Sequence, residues 1–195
     1  RLAGGRRMSA GMRPMASRTP SIVLFGPMGI GKSTAIRTLC GSAMVDCDVE
    51  NLDKASHAKA TTTVGADFGV IELGDGQRLR IYGSPGQERF SFMRNYLMSV
   101  AIGAIVMVDI GAGDALAHTA ALLQELEALP TSPMVMVVIA RAAADADIDF
   151  FCDQLAQRVG WAVPAIAADV REREQMLNVL QVLITMLSID SEETV

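Results

Sequence analysis

A phosphate-binding motif directly after an apolar segment is the feature that most constrains this chain. Ser21 to Phe25 is a short apolar run, and the next nine residues read GPMGIGKST, which satisfies the pattern GxxxxGK[S/T]. Glycines in such a loop let successive amide N–H groups point at one anion, and the helix that follows adds the positive end of its dipole. The motif therefore predicts an α/β domain that holds a nucleoside triphosphate at the end of its first strand.

Each polar residue of the motif has a predicted role. Lys32 would neutralise the β and γ phosphates, and the hydroxyl of Ser33 would bind the Mg²⁺ that the same phosphates hold. The residues predicted to contact the phosphates are Gly26, Gly29, Ile30, Gly31, Lys32, Ser33 and Thr34.

Strand and helix patterns alternate along the rest of the chain. The predicted strands after Ser21–Phe25 are Phe68–Leu73, Arg78–Tyr82, Ala104–Ile110, Met134–Ala140 and Ala165–Ala167. The predicted helices are Lys32–Leu39, one containing Phe90, Met93, Leu97 and Val100, then Ala115–Leu129, Asp147–Val159 and one from near Arg171. The alternation predicts a mostly parallel six-stranded sheet with one antiparallel edge hairpin around Gly74-Asp75-Gly76, and helices on both faces. Ligands of such sheets lie at the carboxyl ends of the strands.

The polar stretch from Gly41 to Thr63 shows no periodicity. Compact domains seldom contain a loop of about 20 residues unless it is a lid, a switch or disordered. We therefore interpret this stretch as a functional loop.

Composition indicates one domain. The chain has 195 residues, half of them apolar, which suits a single domain at residues 21–190, with a basic arm at residues 1–20 and a short tail at 191–195. The arm has five arginines and no acid, whereas the net charge of the whole chain is −5. The acidic body argues against nucleic acid as the main partner, because phosphate backbones bind basic surfaces.

Two further features indicate a cytoplasmic protein. No apolar run approaches the ~18 residues that a membrane-spanning helix needs, so an integral membrane segment is not expected. Cys40, Cys47 and Cys152 are an odd and widely spaced set without metal-ligand spacing, which favours reduced thiols.

Two segments beyond the phosphate loop carry a family resemblance. The run TTTVGADFG, residues 61–69, resembles the first switch of Ras-like small GTPases, in which Thr63 would complete the Mg²⁺ shell and contact the γ phosphate. The run GSPGQERF, residues 83–90, resembles their second switch. That resemblance implies that the Gly86 N–H contacts the γ phosphate and that Gln87 orients the attacking water, the positioning work that phosphoryl transfer requires.

The chain is most similar to the bacterial Ras-like group, with its GTPGQERFxFM second switch. Residues 83–93 read GSPGQERFSFM, and ADVRER at 168–173 looks like that group's fifth-loop signature. The resemblance implies a Ras-like fold and a cytoplasmic molecular switch that slowly hydrolyses GTP to GDP with Mg²⁺. It also implies a roadblock/LC7-type regulator, which would supply or arrange the arginine that the chain lacks in an obvious position.

Three positions depart from the Ras-like pattern. Gly83 stands where an aspartate usually holds Mg²⁺ through water, and Met28 stands at a position that is commonly small, which predicts weaker metal binding and slow hydrolysis. The guanine-reading NKxD motif is replaced by residues 140–143, ARAA. Arg141 is able to stack on the base, and Asp169, Asp145, Asp147 and the N–H groups near Ala168 are the remaining candidates for base contacts. Guanine preference thus comes from the resemblance, and ATP or weak selectivity stays open.

Two alternatives compete with the switch hypothesis. The phosphate loop also resembles that of shikimate kinase, and Asp46-Cys47-Asp48 imitates a DxD element, which favours a small-molecule kinase using ATP. Gly83 and Met28 favour a scaffold that binds nucleotide without hydrolysing it.

Overall fold

The computed structural model describes residues 19–41, 44–48, 65–73, 76–85, 91–130, 133–141 and 143–193. Seven strands and five helices alternate along that part of the chain. The strands are β1 (Ser21–Phe25), β2 (Met44–Asp48), β3 (Gly65–Leu73), β4 (Gln77–Gly83), β5 (Gly103–Val108), β6 (Met134–Ile139) and β7 (Ala165–Ala167). The helices are α1 (Lys32–Cys40), α2 (Ser91–Val100), α3 (Ala115–Glu127), α4 (Asp145–Val159) and α5 (Arg173–Glu193).

All seven strands form one sheet in the order β2-β3-β4-β1-β5-β6-β7. The five strands from β4 to β7 in this order are parallel, whereas β3 runs antiparallel to both β2 and β4. The first strand is therefore central, and its carboxyl end lies between those of β4 and β5. This arrangement places the phosphate loop in the middle of one sheet edge, as the sequence predicts.

The two faces of the sheet carry separate apolar layers because successive strand residues point to opposite sides. Ile22 and Leu24 of β1 belong to the layer that packs under α1 and α5, and Val23 and Phe25 belong to the layer under α2, α3 and α4. Every residue of β1 is buried, which explains why the strand has a continuous apolar sequence rather than an alternating one.

The Ras-like layering, the parallel strands and the β3–β4 hairpin are confirmed. Helix and strand ends shift by a few residues: α4 begins at Asp145 and α5 at Arg173. The sheet has one strand more than the six predicted, because β2 lies inside the stretch that we interpret as a loop and pairs with β3. One edge strand of the sheet is therefore β2, and the predicted edge hairpin, β3 and β4, lies one strand further in.

Among the residues that the structure describes, no helix combines the length and apolar character needed to cross a bilayer.

Truncation of a central core side chain should lower the free energy of unfolding strongly. Leu24 is fully buried, so Leu24→Ala is expected to destabilise the fold by about 3 kcal/mol, through lost apolar burial and the cavity left behind. Ile102 is 42% exposed, and Ile102→Ala should cost less than about 1 kcal/mol. Urea unfolding followed by circular dichroism compares the two. Equal losses would contradict the described core.

Candidate functional site

The phosphate loop, residues 26–34, has the backbone that an anion-binding site requires, and these residues form the cradle for the phosphates. Gly26 and Gly31 have φ angles of 140° and 114°, a region that side chains strongly disfavour. A Cβ on Gly26 would also lie 2.5 Å from the Met107 carbonyl oxygen. Gly31 is the N-cap of α1, and no side chain within the described ranges caps this helix. The N–H groups at the positive end of α1 therefore face the loop without a side-chain acceptor from that part of the chain.

Two hydrogen bonds hold the Lys32 ammonium over the phosphate loop. Its Nζ donates to the carbonyl oxygens of Gly26 at 2.8 Å and Pro27 at 2.9 Å. Burial lowers the pKa of the Lys32 ammonium, and the nearby Asp67 carboxylate partly opposes that shift. A half-desolvated ammonium at the start of a helix gains most from an anionic ligand, because a phosphate replaces the lost water.

A carboxylate that the sequence analysis does not assign to the site lies beside Lys32. The Ser33 hydroxyl donates to Oδ2 of Asp67, a residue of β3. Asp67 faces Gly83 across the β3–β4 pair, in which Phe68 is opposite Tyr82. A Cβ built on Gly83 would lie 3.5 Å from the Asp67 Cβ and 3.7 Å from its Oδ2. The carboxylate of Asp67 thus borders the space that an aspartate at position 83 would enter.

The Ser33–Asp67 pair has the chemistry of a magnesium site. No group of three or more histidine, cysteine, aspartate or glutamate residues within the described ranges is placed to hold a metal by itself. Mg²⁺ is usually held by one or two protein oxygens together with substrate phosphates and water, so a single carboxylate next to a serine hydroxyl fits this ion. The pair lies at the same end of α1 as Lys32, where the phosphates of a bound ligand would complete the shell.

Arg141 connects the loop after β6 to the phosphate loop. Its Nη2 donates to the Gly29 carbonyl oxygen at 3.1 Å. The residue predicted to stack on the base is therefore anchored at the rim of the cradle, on the side away from Asp67 in the strand order.

The loop after β7 lies beside Arg141 and contacts the cradle through Val170. A Cβ on Gly31 would lie 3.0 Å from the Val170 Cγ2. The N–H of Ala168, one of the group of backbone donors predicted as candidates for base contacts, donates to the Ile139 carbonyl oxygen at 3.1 Å as the sheet ends. The Asp169 N–H donates to Oε1 of Gln175 at 2.8 Å. Sheet and helix contacts thus occupy the first two donors of this loop.

Asp169 is held by Arg171. The Arg171 Nε lies 2.9 Å from Oδ1 of Asp169, and Nη2 lies 2.5 Å from Oδ2. Hydrogen bonds from the Arg171 side chain and backbone, with a further contribution from Arg141, lower the pKa of Asp169 to about 2. This carboxylate is therefore charged at neutral pH, and both of its oxygens already accept hydrogen bonds from Arg171.

Two cavities lined by described residues adjoin the phosphate loop. One of about 340 Å³ is bordered by the start of α1, Asp67 and Gly83. The other, of about 610 Å³, lies between the loop and α3. Met28 and Gly29 line both cavities, and Met28 is 77% exposed. The exposed methionine side chain thus borders both cavities.

The described residues include most of the predicted site. The structure brings the following predicted residues to the carboxyl ends of the parallel strands: Gly26, Gly29, Ile30, Gly31, Lys32, Ser33, Thr34, Arg141 and Ala168. Thr63, Gly86 and Gln87 lie outside the described residues. Asp67 is the residue that sequence reasoning missed. The register of the hairpin, read from its turn, is the signal that would have placed it opposite Gly83.

A central phosphate loop, the start of α1 with its glycine N-cap, and the adjacent Lys32 and Ser33 together define a P-loop nucleotide-binding domain. The family model described as the Ras family matches residues 21–159. The chain therefore belongs to the Ras family, a family of small GTPases.

Two curated relatives are similar over part of their length. The GTP-binding protein ypt4 of Schizosaccharomyces pombe is 33% identical over 134 residues, which is 64% of this chain and 50% of that protein. An uncharacterized protein of Methanocaldococcus jannaschii is 27% identical over 92 residues, 47% of this chain and 52% of that protein. The matched region spans about half the length of these relatives.

Solved structures share the fold. The cytosolic domain of the T. maritima FeoB iron transporter in its GMPPNP form superposes with a TM-score of 0.60 at 17% identity, covering 86% of this chain and 64% of that one. Its GDP form superposes with a TM-score of 0.57 at 18% identity. At this identity the likeness shows the fold alone.

Proposed function

We propose that this chain is a cytoplasmic molecular switch of the bacterial Ras-like kind, which binds GTP with Mg²⁺ and hydrolyses it slowly to GDP. The observation that carries the proposal is the convergence of the Lys32 ammonium, the Ser33 hydroxyl and the Asp67 carboxylate at the uncapped start of α1. Membership of the Ras family supports guanine nucleotide as the ligand.

Different residues at the site would bind the phosphates and the Mg²⁺. Lys32 and the amide N–H groups of the loop would bind the β and γ phosphates, while Ser33, Asp67 and Thr63 would hold Mg²⁺. When bound, Mg²⁺ neutralises charge that develops on the phosphate oxygens. Gln87 would position the attacking water, and Gly86 would donate its N–H to the γ phosphate.

Met28 supports a slow intrinsic rate. Its exposed side chain borders the cavity next to Gly83, so it occupies room that a water-positioning side chain or an inserted arginine needs. We therefore propose that a partner, such as a roadblock/LC7-type regulator, rearranges this region and supplies or orients an arginine. The same crowding favours the second candidate, a scaffold that binds nucleotide without turnover.

Nucleotide identification and single-turnover hydrolysis test the proposal. Denatured purified protein should release guanine nucleotide. Radiolabelled GTP should be cleaved with a rate constant on the order of 10⁻⁴ s⁻¹ in Mg²⁺ and more slowly in EDTA. Release of adenine nucleotide, with phosphate transfer to a small molecule, would support the kinase alternative. Absence of cleavage even with a candidate regulator would leave the scaffold.

A further inference from the structure

The phosphate loop carries an exposed thioether. Met28 lies in the first half of the cradle, and it is 77% exposed. The other methionine side chains that the structure describes are buried or half-buried: Met98, Met107, Met134, Met136, Met176 and Met186. Among the described methionines, Met28 is therefore the one that a dissolved oxidant reaches without any local opening of the fold.

A second methionine under the same loop provides a direct comparison. The Met107 Cβ would lie 3.3 Å from a Cβ on Gly26, and the Met107 Cε would lie 4.0 Å from a Cβ on Gly31. Met107 is only 1% exposed. The two thioethers thus adjoin one loop, Met28 in contact with solvent and Met107 within the core, so a soluble oxidant should distinguish them.

Oxidation would change the chemical character of the loop. Hydrogen peroxide transfers one oxygen atom to a thioether: an S–O bond forms, the O–O bond breaks, the sulfur loses two electrons and the peroxide is reduced to water. A thioether is a weak hydrogen-bond acceptor, whereas the sulfoxide oxygen carries partial negative charge and accepts hydrogen bonds readily. An apolar side chain of the cradle thereby becomes polar.

The new acceptor would lie among groups that serve the phosphates. Met28 borders the cavity of about 340 Å³ that Lys32 and Asp67 also line. The Lys32 Nζ already donates to the carbonyl oxygen of Pro27, the residue before Met28, at 2.9 Å. Because burial has removed part of the water around this ammonium, a sulfoxide oxygen nearby is a favourable acceptor for it. A sulfoxide on Met28 would thus compete with phosphate oxygens for the same donors and repel them.

We propose that Met28 is an oxidation site through which hydrogen peroxide weakens nucleotide binding. The effect on nucleotide rests on the proposed function, whereas the selective oxidation of Met28 rests on its exposure. Because methionine sulfoxide is reduced back to the thioether enzymatically, the change is reversible.

Peptide mapping and nucleotide binding test the two parts of the inference. The full chain, stripped of nucleotide, is treated with hydrogen peroxide and then with dithiothreitol, which returns disulfides and sulfenic acids to thiols but leaves sulfoxides. Mass spectrometry should find Met28 oxidised at least about tenfold faster than Met107. The Kd of a ribose-labelled fluorescent GDP should rise about fivefold as Met28 is oxidised. Treatment with the reductases for both sulfoxide epimers should restore the original Kd.

Three variants separate Met28 from other targets of peroxide. In Met28→Leu the ratio of the Kd values after and before peroxide should stay near one, because the side chain keeps its size and has no sulfur. The matched variant Met134→Leu removes a half-buried methionine of β6, and its ratio should remain about fivefold. Met28→Gln, which places a carbonyl oxygen at a similar distance along the side chain, should raise the Kd without peroxide.

Each part of the inference has a result that contradicts it. Oxidation of Met107 as fast as that of Met28 would show that exposure does not select the site. Complete oxidation of Met28 with an unchanged Kd would remove the link to nucleotide, and a fivefold rise that persists in Met28→Leu would assign the effect to another residue. Failure of the labelled GDP to bind the untreated protein would refute the proposed function and with it the effect on binding, while the mass of the Met28 peptide would still report the oxidation.

Discussion

Replacement of Lys32 by alanine is expected to weaken GDP binding by about 100-fold. The ammonium lies over the loop, and burial has already removed part of its hydration, as its lowered pKa indicates. A phosphate that pairs with it gains a charge-assisted hydrogen bond without a large new desolvation cost, an effect of about 3 kcal/mol. Isothermal titration calorimetry on stripped protein gives the two dissociation constants directly.

The matched control for this prediction is Arg37→Ala. Arg37 lies on the same helix α1 and is exposed, so its removal changes the net charge equally without touching the cradle. Its effect on the Kd should stay within about twofold at physiological salt. If both variants weakened binding alike, a general charge effect would explain the result and Lys32 would have no direct role.

Replacement of Asp67 by alanine is expected to raise the Mg²⁺ concentration that half-maximally retains bound GDP by about tenfold. The carboxylate accepts from Ser33 and borders the space in front of Gly83, so it is the one described acidic group placed to hold the ion beside that hydroxyl. The dissociation rate of a fluorescent GDP, measured over a range of Mg²⁺ concentrations, gives this value.

Relocating the carboxylate provides the stronger test. The double variant Asp67→Ala/Gly83→Asp should recover much of the lost Mg²⁺ dependence, because a side chain on residue 83 enters the same space. Glu72→Ala is the control: Glu72 is an acid on the same strand with a side chain that is 78% exposed and paired with Arg78. If Asp67→Ala accelerated GDP release equally in Mg²⁺ and in EDTA, the role of Asp67 would be to orient Ser33 rather than to bind metal.

The fold could be predicted because its determinants are local. The phosphate motif fixes a strand–loop–helix unit, and buried parallel strands such as β5 and β6 are continuous apolar runs that alternate with amphipathic helices. Strand β2 was not predicted, because its local pattern is too short. Val45 and Cys47 alternate with Asp46 and Asp48 over only five residues, a period too short to stand out from the polar stretch around it.

The site could be predicted only where a motif assigns each residue. The cradle and Arg141 follow from sequence position. Asp67 depends on the register of the β3–β4 hairpin, which no motif records and which has to be worked out from the turn that joins the two strands.

The absence of a side chain at Gly83 has a wider consequence for how such enzymes diverge. Facing residues on adjacent antiparallel strands have Cβ atoms about 5 Å apart, so an anionic oxygen can reach the same point in space from either backbone. During evolution a ligand residue is thus free to move from one strand to its neighbour while the chemistry persists. A sequence alignment would then record the loss of the residue, although the neighbouring strand supplies the same oxygen.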